Sequence, residues 1–142
     1  MAMLTTAGMP APVPLEIARS AGARRRGLLG RTGIEGALLL SPASAVHTLG
    51  MRFAIDVAYL DTALRVVAVR TMRPGRLGLP RFRARHVLEA EAGAMERWGI
   101  RRGGAGECAG RLTVPPAGRG AAQPPPLRDA VRAALLTRFT LV

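Results

Sequence analysis

Apolar and polar positions along most of this chain alternate with a period of two, the spacing of strands, and seldom with the 3.6 of helices. Val13, Leu15 and Ile17 alternate with Pro14, Glu16 and Ala18, which predicts a half-buried strand after a flexible, Pro-punctuated leader over residues 1–12. Ser20 is placed to cap a short helix running through Arg24, Arg25 and Arg26 to Leu28 and Leu29, with Gly30 as its stop. Gly36 to Leu40 is an apolar run ended by Ser41 and Pro42, too short for a helix and read as a buried strand. Ala45 to Leu49 reads as a second short strand.

The clearest element follows. Phe53, Ile55, Val57 and Tyr59 share one face and Ala54, Asp56, Ala58 and Leu60 the other, so both faces are largely apolar and the strand belongs in the centre of a sheet. Asp61 and Thr62 make a turn into the Val-rich stretch Leu64 to Thr71, so residues 53–71 read as an antiparallel hairpin. Met72 to Arg85 holds Pro74-Gly75 in the order of a type II turn, then Pro80, with Arg at 73, 76, 81, 83 and 85, which predicts a long, exposed, cationic loop. His86 to Glu91 alternates Val87, Glu89 and Glu91 against His86, Leu88 and Ala90, a strand with one polar face. Ala92 to Trp98 then supplies one or two helical turns, with Trp98 plugging the core.

Cys108 to Val114 reads as a last strand, residues 115–126 as a Pro/Gly-rich linker, and residues 127–142 as a tail holding an amphipathic helix over Leu127 to Phe139. The predicted class is therefore mainly β (α+β): one compact, mostly antiparallel, barrel-like sheet over residues 13–114, with one or two short helices and the C-terminal amphipathic helix.

Several parts of this chain have the order and spacing of a known family. Arg26-Gly27-Leu28-Leu29-Gly30-Arg31, Gly36-Ala37-Leu38-Leu39-Leu40, Ile55-Asp56-Val57-Ala58-Tyr59-Leu60-Asp61 and Val87-Leu88-Glu89-Ala90-Glu91-Ala92-Gly93 together resemble domain of unknown function 192, over roughly residues 13–105. The chain departs from that pattern twice. It reads Val46-His47-Thr48-Leu49-Gly50-Met51 where many members carry Trp-Met-Lys-Asn-Thr, and Gly103-Gly104 where the family closes on Gly-Asp. The resemblance implies a compact β-domain with short helices and carries no established activity.

Composition adds limits. With 142 residues, 49% of them hydrophobic, the chain is sized for one core, and no apolar run is long enough for a membrane-spanning helix. The leader lacks the charged start of a secretory signal, so a cytoplasmic location is expected. All 21 basic residues are Arg, against 9 acidic ones, for a net charge of +12. That field attracts polyanions, but Arg used together with Ala, Gly and Pro is also the mark of a GC-rich coding sequence, so charge argues for association and not for a site.

Asp56 is the leading single candidate, because a carboxylate between Ile55 and Val57 must be paired, hydrogen-bonded or neutral. Its structural reading, with bonds from backbone amides or from Arg52, is preferred to a role as acid or base. His47 would reach it if the chain between them turns back, forming an acid-base pair, although a structural histidine is the simpler reading. No close-spaced ligand set among His47, His86, Asp56, Glu89, Glu91 and Cys108 marks a metal, no cofactor motif is present, and the single Cys108 excludes an internal disulfide. Glu89 and Glu91 are expected to neutralise the arginine loop.

The functional expectation is a non-enzymatic binding or accessory module. Arg52, Arg73, Arg76, Arg81, Arg83 and Glu89 are its candidate residues for holding an anionic ligand or protein partner. The alternatives are a small-molecule enzyme using Asp56 and His47, and non-specific RNA binding through Arg73 to Arg85, for which the 4% aromatic content offers few stacking platforms.

Overall fold

A computed structural model describes residues 2–6 and 8–102. Six strands form one mainly antiparallel sheet: β1 (Ala2–Leu4), β2 (Val13–Ala18), β3 (Ala37–Leu40), β4 (Ile55–Leu60), β5 (Val66–Met72) and β6 (His86–Glu91). Two short helices, α1 (Ala21–Arg26) and α2 (Ala94–Arg97), accompany it among the described residues. The strand order is β1-β2-β3-β6-β4-β5, and the one parallel pairing, β2 with β3, is bridged by α1. The sequence suggested a barrel-like sheet; among the described residues the sheet is instead open, with β1 and β5 as its edges. The predicted strand Cys108 to Val114, the linker, the C-terminal helix and Gly103-Gly104 lie outside the described residues.

Apolar alternation places each strand. On β4, Ile55, Val57 and Tyr59 enter one core with Leu28, Leu38, Val46, Met51 and Ala84, while Ala58 and Leu60 enter the other with Leu15, Leu39, Leu88 and Met95. Every residue of β4 is buried, as its two apolar faces predict, because β5 and β6 cover its edges and a core covers each side. Trp98 is half-buried and packs against the second of these cores.

Local sequence explains the ends. Ser20 caps α1 as predicted, its Oγ accepting from the Ala23 amide at 3.1 Å. The helix nevertheless stops at Arg26, before Leu28, because Gly27 turns the chain at φ 46° and drops Leu28 into the core. Gly36, at φ 78°, leads into β3 where a Cβ would stand 2.1 Å from the Pro14 carbonyl oxygen, so no side chain fits.

Three further expectations need correction. The segment read as leader supplies β1, paired antiparallel with β2. Ala45 to Leu49 is no strand and holds only an isolated bridge from His47 to Leu77. The face of β6 read as polar is buried up to Glu89, since β6 lies between β3 and β4 with Leu38 and Val57 on either side of that residue.

Candidate functional site

Among the described residues the outer edge of β5 is unpaired, and it borders a cleft of about 700 Å³. Arg70 and Thr71 enter it from the exposed end of β5, Arg81 from the loop beyond it, and Arg101 and Arg102 from the segment after α2. The Arg81 guanidinium lies 5.6 Å from the centre of the Tyr59 ring, and its buried Nε has no hydrogen-bond partner. Burial pushes the Tyr59 hydroxyl up from its ordinary pKa, an effect that the charges of Arg81 and Arg70 oppose. Glu96 is the exposed carboxylate on the same cleft. Among the described residues the ion pairs are Arg31 with Glu16 and Arg65 with Asp61, so none of the four cleft arginines is neutralised by a carboxylate.

Asp56 forms part of the cleft floor, 3% exposed, with its carboxylate fully committed. Its Oδ1 accepts from the Thr71 hydroxyl at 2.7 Å, and its Oδ2 from the Gly93 and Met95 amides at 2.8 and 3.1 Å. Asp56 thereby ties β4 to β5 and to the start of α2, which is the structural role expected of it, with backbone amides as donors and not Arg52. His47 does not join it: the histidine is exposed and sits on the bridge to Leu77, and no hydrogen bond links the two. The acid-base pair suggested by the sequence is therefore not assembled.

Two further polar side chains, Thr48, which the pattern did not single out, and His86, are buried. Thr48 is fully buried, its Oγ1 donating to the Arg73 carbonyl at 2.6 Å and accepting from the Arg76 amide at 2.9 Å, which fastens the Pro74-Gly75 turn. His86 is enclosed as well, its Nδ1 3.0 Å from Ser41 Oγ, and burial holds its pKa below the usual imidazole range.

Glu89 is 3% exposed, and its Oε2 is buried with no hydrogen-bond partner. Burial alone pushes its carboxyl up to about 7. It makes no ion pair with the arginine loop, contrary to the sequence expectation, because it points into the core beneath Gly27, whose Cβ position would be 3.6 Å from Oε2.

Of the residues expected to bind a ligand, only Arg81 lines the cleft; Arg52, Arg73, Arg76 and Arg83 are exposed elsewhere. Arg70, Thr71, Arg101 and Arg102 were not anticipated. The adjacent Arg101-Arg102 pair after Gly99 was the available signal.

Comparison with known proteins agrees with this architecture. A UPF0127 protein of Pyrococcus horikoshii is 40% identical over 53 residues, covering 37% of this chain and 46% of its own length. One from Pyrococcus furiosus is 33% identical over 60 residues, covering 42% and 52%. The matched stretch spans about half the length of these relatives. A crystal structure of a protein of unknown function from Novosphingobium aromaticivorans superposes with a TM-score of 0.59 at 20% identity, over 72% of this chain and 79% of that one, and so shares the fold. The family model DUF192, described as an uncharacterised ACR, matches residues 2–105, and this chain belongs to that family.

Proposed function

We propose that this protein is a non-enzymatic binding module that holds a small anion, of the phosphate or polycarboxylate class, in the cleft beside β5. The observation that carries the reading is the convergence of Arg70, Arg81, Arg101 and Arg102 on one cleft without an ion-pair partner among the described residues. Against them stand Glu96 and the committed Asp56, so the cleft is net positive. Guanidinium groups bind phosphate and carboxylate through paired N–H donors, and Thr71 adds a neutral hydroxyl at the same wall. Binding without turnover is favoured because the one buried carboxylate on the cleft has both oxygens occupied in holding the fold.

Isothermal titration with inorganic phosphate, citrate and adenosine monophosphate at low salt tests this. Saturable binding of at least one is expected, weakened about tenfold or more in the Arg70→Gln/Arg102→Gln double variant, since a hydrogen bond to a charged group contributes about 1.5–3 kcal/mol. No saturable heat with any of the three, or equal affinity in a double variant that melts like the parent, would overturn the reading.

A further inference from the structure

The loop over residues 73–85, whose Arg81 lines the cleft, carries a second feature on its outer side. Leu77, Leu79 and Phe82 are 75%, 77% and 92% exposed, so three large apolar side chains within six residues stand almost free of the protein. Leu49, two residues beyond the His47 partner of Leu77, is a fourth at 46%. Scattered apolar residues on a surface are ordinary, but a cluster on one loop marks an interaction site.

The loop is not loose. Its backbone is pinned between the exposed side chains: the Thr48 amide donates to the Arg76 carbonyl at 2.8 Å and the Gly78 amide to Val46 at 2.8 Å. The Arg81 amide donates to Ser44 at 2.9 Å and the Arg85 amide to Leu60 at 2.7 Å. Gly78 is held so close that a Cβ there would stand 2.8 Å from the Val46 oxygen and 2.9 Å from the Tyr59 hydroxyl. Residues 76, 78 and 81 bond inward, and residues 77, 79 and 82 are held outward.

Around these tips, Arg73, Arg76, Arg83 and Arg85 are exposed, and the segment from 72 to 85 contains no acidic residue. A rigid loop with apolar tips and a cationic base matches the layering of an anionic bilayer, hydrocarbon beneath negative headgroups. Side chains this exposed have no walls beside them to shape a groove for a protein segment. Nucleic acid is a poorer fit, because the two leucines cannot stack on bases and Phe82 is the single aromatic of the loop. We infer that the 77–82 loop docks this protein on anionic lipid surfaces, Leu77, Leu79 and Phe82 entering the headgroup–acyl boundary while the flanking arginines hold the headgroups.

Co-sedimentation of the full chain with phosphatidylglycerol/phosphatidylcholine vesicles tests this. Wild type should bind these vesicles at least tenfold more strongly than pure phosphatidylcholine, with binding falling as salt rises. The Leu77→Ser/Leu79→Ser/Phe82→Ser variant should lose about tenfold or more, and Arg76→Gln/Arg83→Gln a similar amount. Because all five side chains are exposed, the variants should keep the parental melting curve. Insertion is read separately from a Phe82→Trp variant, whose added fluorescence should be quenched by brominated lipid. The inference fails if the apolar triple variant binds like wild type, if neutral vesicles bind equally well, if Trp at 82 is not quenched, or if short RNA is bound while vesicles are not. None of these variants alters Arg70, Arg81, Arg101 or Arg102, so failure here leaves anion binding in the cleft standing, and the reverse.

Discussion

Replacing Glu89 with Gln should change the pH dependence of stability in a defined direction. The carboxyl is held at about 7 by burial, against an ordinary value of 4.5. Between these values the unfolded chain ionises while the folded protein keeps its proton. The folded state therefore binds more protons, and stability must fall as pH rises. The contribution is fully present below about pH 4.5 and lost above about pH 7. The gap corresponds to a penalty of about 3 kcal/mol at alkaline pH, from about 1.4 kcal/mol per unit.

Gln keeps the shape and cannot ionise, so any cost of its unpartnered amide is the same at every pH. Urea unfolding followed by circular dichroism at pH 5 and pH 8 should show the stability of E89Q relative to wild type rising by about 2–3 kcal/mol between the two. His86 works in the opposite sense. Burial lowers its pKa from 6.5, so acid favours the unfolded chain, but the residue is common to both proteins and cancels in the comparison. A difference between E89Q and wild type that is flat with pH, to within a few tenths of a kcal/mol, would refute the burial argument.

Asp56→Ala should cost about 3 kcal/mol or more, because it strands the buried Met95 amide, the part-buried Gly93 amide and a hydroxyl, whereas Thr71→Val removes one bond and should cost about 1 kcal/mol; thermal melts compare them. Gly36→Ala must place a Cβ against the Pro14 carbonyl at a positive φ, and should destabilise by about 3 kcal/mol or more in urea titration. His47→Ala removes an exposed side chain outside the Asp56 network and should leave unfolding within about 0.5 kcal/mol of wild type, where an assembled pair would cost several times more.

What the sequence disclosed was whatever short-range periodicity controls. The two apolar faces of β4 announced a central strand because both cores and both neighbouring strands act on the same six residues. Ser20 announced its helix because a cap bonds three residues away. Glu89 misled because a carboxylate every second residue looks like a wet face, and only the pairing of β6 with β3 and β4, each distant in sequence, buries it. Thr48 was invisible for a similar reason, its partners lying 25 and 28 positions further on. The cleft arginines come from three separate segments, so no local spacing could have grouped them.

The order of the strands has a consequence for how the molecule is assembled. Among the described residues, β1, β2 and β3 are linked to the β4–β5 hairpin by strand pairing only through β6. A nascent chain that has not yet released its ninety-first residue from the ribosome holds two groups of strands joined by no strand pairing, with only loop bonds such as Gly78 to Val46 and Thr48 to Arg76 between them. Pairing both groups with β6 closes long loops late, so the described sheet should form slowly for its size and gain most of its tertiary order when β6 arrives.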